Sequence, residues 1–327
     1  MRVVFMGSPA FAVPSLERLL AEGHEVPLVV TQPDRAAGRR QALRPPAVKL
    51  TALGHGLAVL QPESLKEADA RSAIASLAPQ VIVVVAFGQF LPRSVRELPP
   101  LGCVNVHASL LPKYRGAAPI AHALLAGEAE TGVSVMRVEA RMDAGPVLLQ
   151  KRCPVLSEDD AAALEARLAP LGADALAEGL RRLADGSAVW TPQDDAQATS
   201  APKLTDADCR LGLLEGAVAL VNRVRALAPA PGAYVLLRDG RRLRILRAAA
   251  GLEGATAGTV IRVEEEGVLI GTGKGALMLQ EVQPEGKRRM SGAEFARGRR
   301  LQPGEPLVGM PNAAGGMASG AADSRPR

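Results

Sequence analysis

Aromatic residues are scarce in this chain. They make up 2% of its 327 residues, as one Trp, two Tyr and five Phe. Apolar residues reach 47% in total, so a packed core must be built mainly from Leu, Val and Ala. The composition therefore predicts an aliphatic core, and the length leaves room for two domains.

Cysteine and long apolar runs are also scarce. The three cysteines, Cys103, Cys153 and Cys209, lie far apart, so they indicate neither a metal site nor the disulfide framework of a secreted protein. The longest unbroken apolar run, residues 81–87, has seven residues, whereas a helix needs about 20 to span a membrane. The apolar run at the N-terminus is too short for a signal peptide. We therefore expect a soluble, cytoplasmic protein that needs no metal.

The positive charge of the chain is concentrated near its end. The formal net charge is +5. Residues 1–207 carry 21 Lys and Arg against 22 Asp and Glu, whereas residues 208–327 carry 18 against 12. Solvated surface arginines can account for this excess, and so can a patch that binds a polyanion such as RNA. Charge alone leaves both interpretations open.

Over the first 150 residues, short apolar runs alternate with helical patterns. The predicted strands include Arg2–Met6, Val26–Thr31, Val81–Ala86 and Cys103–His107. The continuous β-branched run at Val81 is typical of a strand buried on both faces. This alternation predicts an α/β fold, with a Rossmann-like, mainly parallel sheet covered by helices on both sides.

A short motif predicts where one of the helices begins. Ser64 and Glu67 have the spacing of a capping box, which predicts a helix from Ser64 to Leu77.

The last third of the chain is organised differently. Residues 191–208 are polar and rich in Pro, Ser and Thr, which predicts a linker. Beyond it, short strands separated by glycines predict a smaller C-terminal β-barrel, similar to an OB-fold. We therefore expect one domain over residues 1–190, a linker over 191–208, the barrel over 209–308 and a disordered tail over 309–327.

The predicted strand Cys103–His107 carries two polar side chains. Side chains alternate faces along a strand, so Asn105 and His107 share one face while Val104 and Val106 occupy the other. Ligands of open α/β sheets bind at the carboxyl ends of the strands. An amide and an imidazole at that end are candidates for a binding or catalytic site, although a single histidine is often structural.

Two further stretches extend this candidate site. The segment NVHASLLPKYRGAAPI follows from Asn105, and RMDAGP brings in Asp143. With VVAFGQFLP at residues 84–92 and QPEGK at 283–287, these motifs resemble those of the folate-dependent formyltransferases. The resemblance runs from about residue 2 to residue 308 and is far more specific than a single glycine motif.

The resemblance implies roles for individual residues. Asn105, His107 and Asp143 would be catalytic, with the first two stabilising the negative oxygen of a tetrahedral species and Asp143 assisting proton transfer. The co-substrate would be 10-formyltetrahydrofolate, and neither a metal nor a covalent nucleophile would be needed. The residues expected to bind the folate follow strands of the sheet: Phe87, Gly88, Phe90, Ser109, Leu110, Leu111 and Pro112. Core packing has an equal claim on the two phenylalanines.

A basic segment indicates which amine accepts the formyl group. Residues 31–49 hold five basic residues and one acidic residue. The family uses such a loop to approach the acceptor stem of a tRNA, and the basic barrel would bind RNA as well. The resemblance thus implies a catalytic domain at 1–190, a tRNA-binding barrel at 209–308, and formylation of the α-amino group of methionyl initiator tRNA for translation initiation. The enzyme would act as a monomer, with tRNA contacts expected at Arg35, Arg39, Arg40, Arg44 and Lys49.

The chain departs from the family pattern at three places, one of which is residues 200–205, an approximate match to the linker motif of the family. Ala144 follows Asp143 where the family usually has Thr, and we expect this to tune activity rather than abolish it. Ala230 stands where a Trp is typical, which concerns local packing rather than chemistry.

Three alternatives bear on this interpretation. A small amine could replace the tRNA as acceptor, but it would need neither basic region. A dinucleotide-dependent oxidoreductase is suggested by Gly7 and Asp34, yet Pro9 and Ala12 stand where its other glycines belong. A non-enzymatic RNA-binding protein would not need the three catalytic candidates.

Overall fold

The computed structural model describes residues 1–37 and 42–308. The chain divides into two compact units, one of residues 1–209 with 225–231 and the other of residues 210–224 with the chain from 232 onward. The tail predicted at 309–327 lies outside the described residues, as do Arg39 and Arg40. The functional division into domains and linker stays a prediction.

The first unit contains a seven-stranded sheet and a small hairpin. The strands are β1 (Arg2–Gly7), β2 (Glu25–Val30), β3 (Arg35–Ala37), β4 (Ala42–Arg44), β5 (Val59–Leu60), β6 (Val81–Val85), β7 (Cys103–His107), β8 (Glu130–Arg137) and β9 (Val147–Pro154). The sheet order is β5-β2-β1-β6-β7-β8-β9, and β3 pairs with β4 alone. In this order, the five strands β5, β2, β1, β6 and β7 pair with their neighbours in parallel. The last two strands, β8 and β9, pair antiparallel. The prediction of a mainly parallel sheet is confirmed.

Alternate residues of the central strands enter two separate cores. Val3 and Phe5 of β1 pack in one apolar cluster, while Val4 and Met6 pack in another. The same alternation holds along β6, whose five residues are all buried. A strand that is apolar at every position thus packs on both faces of the sheet.

Helices cover this sheet. The helices of the first unit are α1 (Val13–Ala21), α2 (Ala47–Gly54), α3 (Ala68–Ser76), α4 (Arg93–Arg96), α5 (Pro119–Leu125), α6 (Ala161–Ala184) and α7 (Asp206–Cys209), whereas α8 (Ala217–Leu227) begins in the second unit. The long helix α6 lies close to β7, because a Cβ at Gly172 would stand 2.9 Å from Cγ1 of Val106. A small residue there lets the helix support the strand that ends in His107.

The predicted start of α3 at Ser64 is wrong. The helix begins at Ala68, and Glu67 is its N-cap. The Glu67 carboxylate does accept the Ser64 N–H at 2.9 Å, but the Ser64 hydroxyl accepts the Lys66 N–H at 3.2 Å instead of that of Glu67. The two residues therefore close a turn before the helix, because half of the capping pattern is enough to stabilise a turn.

The second unit holds an antiparallel sheet. Its strands are β10 (Ala233–Leu236), β11 (Arg242–Gly251), β12 (Val260–Val263), β13 (Val268–Gly271), β14 (Ala276–Pro284) and β15 (Met290–Ser291), followed by α9 (Gly292–Arg299). The order is β10-β11-β14-β13-β12, with β15 beside β14. Pro306 bridges to Thr259 next to β12, and Val308 bridges to Leu237 next to β10. This segment joins the two edges and closes the sheet, as a barrel requires.

Candidate active site

The site is built at the carboxyl end of β7. This strand pairs with β6 on one side and β8 on the other, where His107 lies opposite Ser134. Val104 and Val106 pack into the larger apolar cluster, so the predicted division of faces is confirmed. Asn105 and His107 therefore share the opposite face at the strand end where ligands of such sheets bind.

The ring of His107 is held by a backbone carbonyl. Its Nε2 lies 2.8 Å from the carbonyl oxygen of Tyr114, and the residue is 5% exposed. A carbonyl oxygen only accepts hydrogen bonds, so Nε2 must carry a proton. Its Nδ1 lies 3.6 Å from Oδ2 of Asp143. Nδ1 is therefore the ring nitrogen that faces the carboxylate of Asp143.

The carboxylate of Asp143 is oriented by a second loop. Its Oδ2 accepts the Gly116 N–H at 2.8 Å, and the side chain is 16% exposed. Asp143 has a φ of +49°, in the left-handed region that Asp tolerates better than most residues. At Gly145, a Cβ would stand 1.9 Å from the carbonyl oxygen of Arg137, so only glycine lets the loop return to β8.

Asn105 is half-buried and, unlike His107 and Asp143, has a side chain without a hydrogen-bond partner among the described residues. An amide that faces a ligand-binding edge without a partner can offer its N–H groups to a ligand.

The loop Ser109–Pro112 is held by buried hydrogen bonds. The Ser109 hydroxyl donates to the Lys113 carbonyl at 2.6 Å, and the Ser134 hydroxyl donates to the Ser109 carbonyl at 2.6 Å. Gln150 donates to Ser134 and to the Leu111 carbonyl, both at 2.8 Å. The Ser109 side chain therefore shapes the loop from within and is fully buried.

The apolar members of this loop differ in exposure. Leu111 is buried against Met136 and Val147, whereas Leu110 and Pro112 are half-buried. A Cβ at Gly132 would stand 2.6 Å from Cδ2 of Leu110, so Leu110 packs against β8.

The candidate folate residues after β6 separate into two kinds. Phe87 is 2% exposed and belongs to the second apolar cluster, which favours core packing for this ring. Phe90 is 60% exposed and remains available to a ligand. Gly88 lies between them at a φ of +83°, and the Phe87 carbonyl accepts the Gln32 side-chain N–H at 3.1 Å. Folate binding by these residues stays a prediction.

The basic segment after β2 forms the hairpin of β3 and β4. Arg35 lies directly opposite Arg44, and both residues are exposed. Like charges at opposite positions destabilise a strand pair, so an anionic partner would relieve this repulsion. The hairpin thus presents two neighbouring cations to solvent.

Lys49 has a different environment from these arginines. Its ammonium group lies 2.8 and 2.9 Å from the two carboxylate oxygens of Asp34, and its side chain is 22% exposed. Gln61 also donates to Asp34, and these hydrogen bonds, with that of Gln61 first, lower the pKa of the Asp34 carboxyl. The charge of Lys49 is already neutralised by its partner.

Sequence reasoning missed a further set of hydrogen bonds around Tyr114. The Tyr114 hydroxyl donates to Glu128 at 2.7 Å, and its backbone N–H donates to the Thr199 hydroxyl at 2.8 Å. Lys113 and then Tyr114 donate to the Glu128 carboxylate and lower its pKa. Burial, followed by the bond to Glu128, raises the pKa of the Tyr114 hydroxyl. These bonds fix the carbonyl that holds His107.

The segment 191–202 was also missed, because its polar composition is typical of a linker. Thr191 exchanges two backbone hydrogen bonds with Val147, each of 2.8 Å. Gln193 donates to the carbonyl oxygens of Asp143 and Gly145. This part of the predicted linker lies within the first unit and contacts the catalytic loops.

The grouping of possible metal ligands and the polarity of the helices bear on the class of protein. In residues 1–37 and 42–308, no three His, Cys, Asp or Glu side chains are grouped as metal ligands would be. Over the same residues, every helix is too short or too polar to cross a bilayer.

Comparison with known proteins identifies the family. The model of the family "Formyl transferase" matches residues 1–180, and that of "Formyl transferase, C-terminal domain" matches residues 203–300. The chain belongs to the formyl transferase family. This membership confirms the resemblance carried by the motifs around Asn105, His107 and Asp143, and it makes the protein a transferase.

Curated relatives match this formyl transferase along most of its length. It is 45% identical to the methionyl-tRNA formyltransferase of Geobacter sulfurreducens over 94% of this chain and 96% of the relative. It is 47% identical to the methionyl-tRNA formyltransferase of Halorhodospira halophila, over 94% and 99% of the two chains.

Solved structures of lower identity share the fold. The N-formyltransferase of Helicobacter canadensis, in complex with folinic acid and dTDP-3-aminofucose, has a TM-score of 0.65 at 17% identity, over 85% of this chain and 98% of that one. HypX from Aquifex aeolicus, in complex with tetrahydrofolic acid, has a TM-score of 0.62 at 19% identity, over 90% of this formyl transferase. The chain spans about half of HypX, 47% of its length.

Proposed function

We propose that this protein transfers the formyl group of 10-formyltetrahydrofolate to the α-amino group of methionyl initiator tRNA. The arrangement that carries the proposal is the group of Asn105, His107 and Asp143 at the carboxyl end of β7, where Nδ1 of His107 lies 3.6 Å from Oδ2 of Asp143. Relatives more than 40% identical along nearly their whole length carry the same activity in their names.

The reaction forms one C–N bond and breaks another. The uncharged amine attacks the formyl carbon, and the electrons of the carbonyl bond move onto the oxygen. Collapse of this tetrahedral species breaks the bond between the carbon and N10 of the folate. The attacking nitrogen loses a proton, and N10 gains one.

The three side chains have distinct tasks in this reaction. The amide of Asn105, which has no partner among the described residues, donates to the oxygen as it becomes negative. Removal of one such donor typically costs roughly 10²- to 10³-fold in rate. Because Nε2 of His107 is bound to the Tyr114 carbonyl at 2.8 Å, a proton for the substrate must leave from Nδ1. The expectation that His107 acts as a donor therefore applies to Nδ1 alone.

Asp143 lies beside that nitrogen and completes the proton path. Its Oδ2 accepts the Gly116 N–H, which orients the carboxylate without neutralising it. This loop is held by the Gly116 N–H, by Gln193 at the carbonyls of residues 143 and 145, and by the ion pair of Arg141 with Asp195, and none of these bonds uses the side chain of residue 144. This supports the expectation that Ala144 tunes activity without abolishing it.

The tRNA is expected to meet two basic regions. Exposed Arg35 and Arg44 of the hairpin attract phosphate, and the second unit adds a surplus of Lys and Arg. Because the proposed acceptor is used in translation initiation, we expect the enzyme to act in the cytoplasm. Action as a monomer stays part of the proposal.

A formylation assay tests the function. The protein is given 10-formyltetrahydrofolate with charged initiator tRNA or with a small amine acceptor, and formylated product is measured. Methionyl initiator tRNA should be the preferred acceptor by a large factor in kcat/KM. A small amine that is formylated with equal or better kcat/KM would refute the proposal for the acceptor and retain that for the donor.

A further inference from the structure

Gln193 lies between the two loops that meet at Asp143. Its side-chain Nε2 donates to the Asp143 carbonyl at 2.8 Å and to the Gly145 carbonyl at 2.7 Å. Its Oε1 accepts from Nε and Nη2 of Arg115 at 3.0 and 2.8 Å. Both N–H groups and the oxygen of the amide are therefore occupied.

Arg115 extends this arrangement. It directly precedes Gly116, whose N–H binds the Asp143 carboxylate, and its side chain is 11% exposed. Its Nη1 binds one carboxylate oxygen of Asp195 at 2.8 Å, and Arg141 binds the other at 2.8 Å. Gln193 and Asp195 thus tie the loop of residues 115–116 to the loop of residues 141–145.

The bonds between these two loops bear on catalysis because Asp143 has an uncommon backbone conformation. At a φ of +49°, the residue occupies a region in which an L-residue persists only when the surrounding structure holds it there. Gly116 fixes the side chain and Gln193 fixes the carbonyl. A turn of the peptide at Asp143 would move the carboxylate away from His107.

We propose that Gln193 is a positioning residue of this active site, and that it acts by holding Asp143 against His107. The inference rests on the proposed formyl transfer. Gln193 makes no hydrogen bond to His107 or Asn105, so it contributes through the geometry of Asp143. Its place in a polar stretch typical of a linker explains why sequence reasoning overlooked it.

Two substitutions separate the contacts of this amide. Gln193→Glu keeps the size and the oxygen that accepts from Arg115, but it has no N–H for the two carbonyls. Gln193→Ala removes both sets of bonds. Gln197→Ala is the matched control, because Gln197 is an exposed glutamine of the same segment whose side chain, among the described residues, donates to Asp194 alone, at 2.9 Å.

The expected result is a loss in kcat with little change in KM for the folate. Small misplacements of a catalytic group cost roughly 10- to 100-fold, so we expect that range for both Gln193 variants. Gln197→Ala should retain wild-type turnover and melting temperature, whereas both Gln193 variants should still melt cooperatively but at a lower temperature, because two carbonyls lose their donor.

A double-mutant cycle with Asp143→Asn separates positioning from general structural support. If Gln193 acts through Asp143, adding Gln193→Glu to Asp143→Asn should cause little further loss. Wild-type turnover in both Gln193 variants, or an equal loss in the Asp143→Asn background, would overturn the inference. The two proposals fail differently: inactivity of the wild-type protein towards methionyl initiator tRNA would refute the function itself.

Discussion

The loop that follows β7 and the hairpin that follows β2 leave the same end of one sheet, but they are held very differently. In the β7 loop, the Ser109 carbonyl accepts from Ser134 of β8, and the backbone N–H groups of Tyr114 and Gly116 donate to Thr199 and Asp143. In the hairpin, each strand has three residues, and Arg35 lies directly opposite Arg44. A two-stranded hairpin of this length is marginally stable by itself.

This difference matches what each region has to do. Catalytic groups must be oriented before the reaction, because reorganisation during the transition state costs rate. Attraction of a polyanion needs charge near the site and little fixed geometry. The comparison therefore predicts that substitutions in the β7 region affect turnover, whereas those in the hairpin affect tRNA association.

The largest effect is expected for Asp143→Asn. The amide oxygen can still accept the Gly116 N–H, so the loop should keep its shape, while the carboxylate beside Nδ1 of His107 is lost. General acid–base groups contribute roughly 10²- to 10⁴-fold, and single-turnover formylation should fall by that amount. The affinity for tRNA, measured separately, should stay at the wild-type value.

This variant also tests the contrast between the regions. If Asp143→Asn weakened tRNA binding as much as it slowed formyl transfer, the β7 region would be a binding surface and not a preorganised catalytic one. Turnover at the wild-type level would make Asp143 a structural residue of its loop.

A somewhat smaller loss is expected for Asn105→Ala. This side chain has no partner in the described part of the chain, so its removal should leave the surrounding bonds unchanged and delete one donor to the developing oxyanion. We expect a loss of roughly 10²- to 10³-fold in kcat. His107→Ala should cost at least as much, but it also removes the bond to the Tyr114 carbonyl.

Thermal unfolding distinguishes these two variants. Asn105→Ala should unfold at nearly the wild-type temperature, whereas His107→Ala should be less stable because it leaves a buried carbonyl without its donor. Near wild-type turnover in Asn105→Ala would remove this amide from the mechanism.

The sequence predicted the parts of the molecule that follow from local pattern. The alternation along β7 was sufficient to place Asn105 and His107 on one face, because a strand has a fixed period of two. The β-branched run that begins at residue 81 was sufficient to predict a buried strand. The helix start predicted from Ser64 and Glu67 was wrong, because a turn can use the bond from the Ser64 N–H to the Glu67 carboxylate without the second bond of a capping box.

The long-range hydrogen bonds could not be predicted in the same way. Gln193 meets Asp143 from 50 positions away, and Thr199 meets Tyr114 from 85. No period relates such positions, and a polar segment that satisfies buried carbonyls has the same composition as a solvated linker. Phe87 and Phe90 likewise carry the same side chain three residues apart, and only the fold assigns one to the core and exposes the other.

The smallest effect is expected in the hairpin, where two kinds of cation can be compared. Arg44 is exposed and lies beside another arginine, whereas Lys49 is bound to both oxygens of Asp34. A counterion is released from the RNA only when a cation of the protein is free to contact a phosphate. Arg44→Ala should therefore weaken tRNA binding modestly and reduce the slope of log affinity against log salt by about one unit or less.

The matched control is the double substitution Asp34→Asn with Lys49→Met, which removes an ion pair and leaves the net charge unchanged. Its salt slope should equal that of the wild type, because the charge of Lys49 is already compensated by Asp34. Folate affinity and turnover at saturating tRNA should be retained in Arg44→Ala. If the salt slope falls in the double variant and not in Arg44→Ala, phosphate is bound by the lysine at the base of the segment, and the cations of the hairpin serve another purpose.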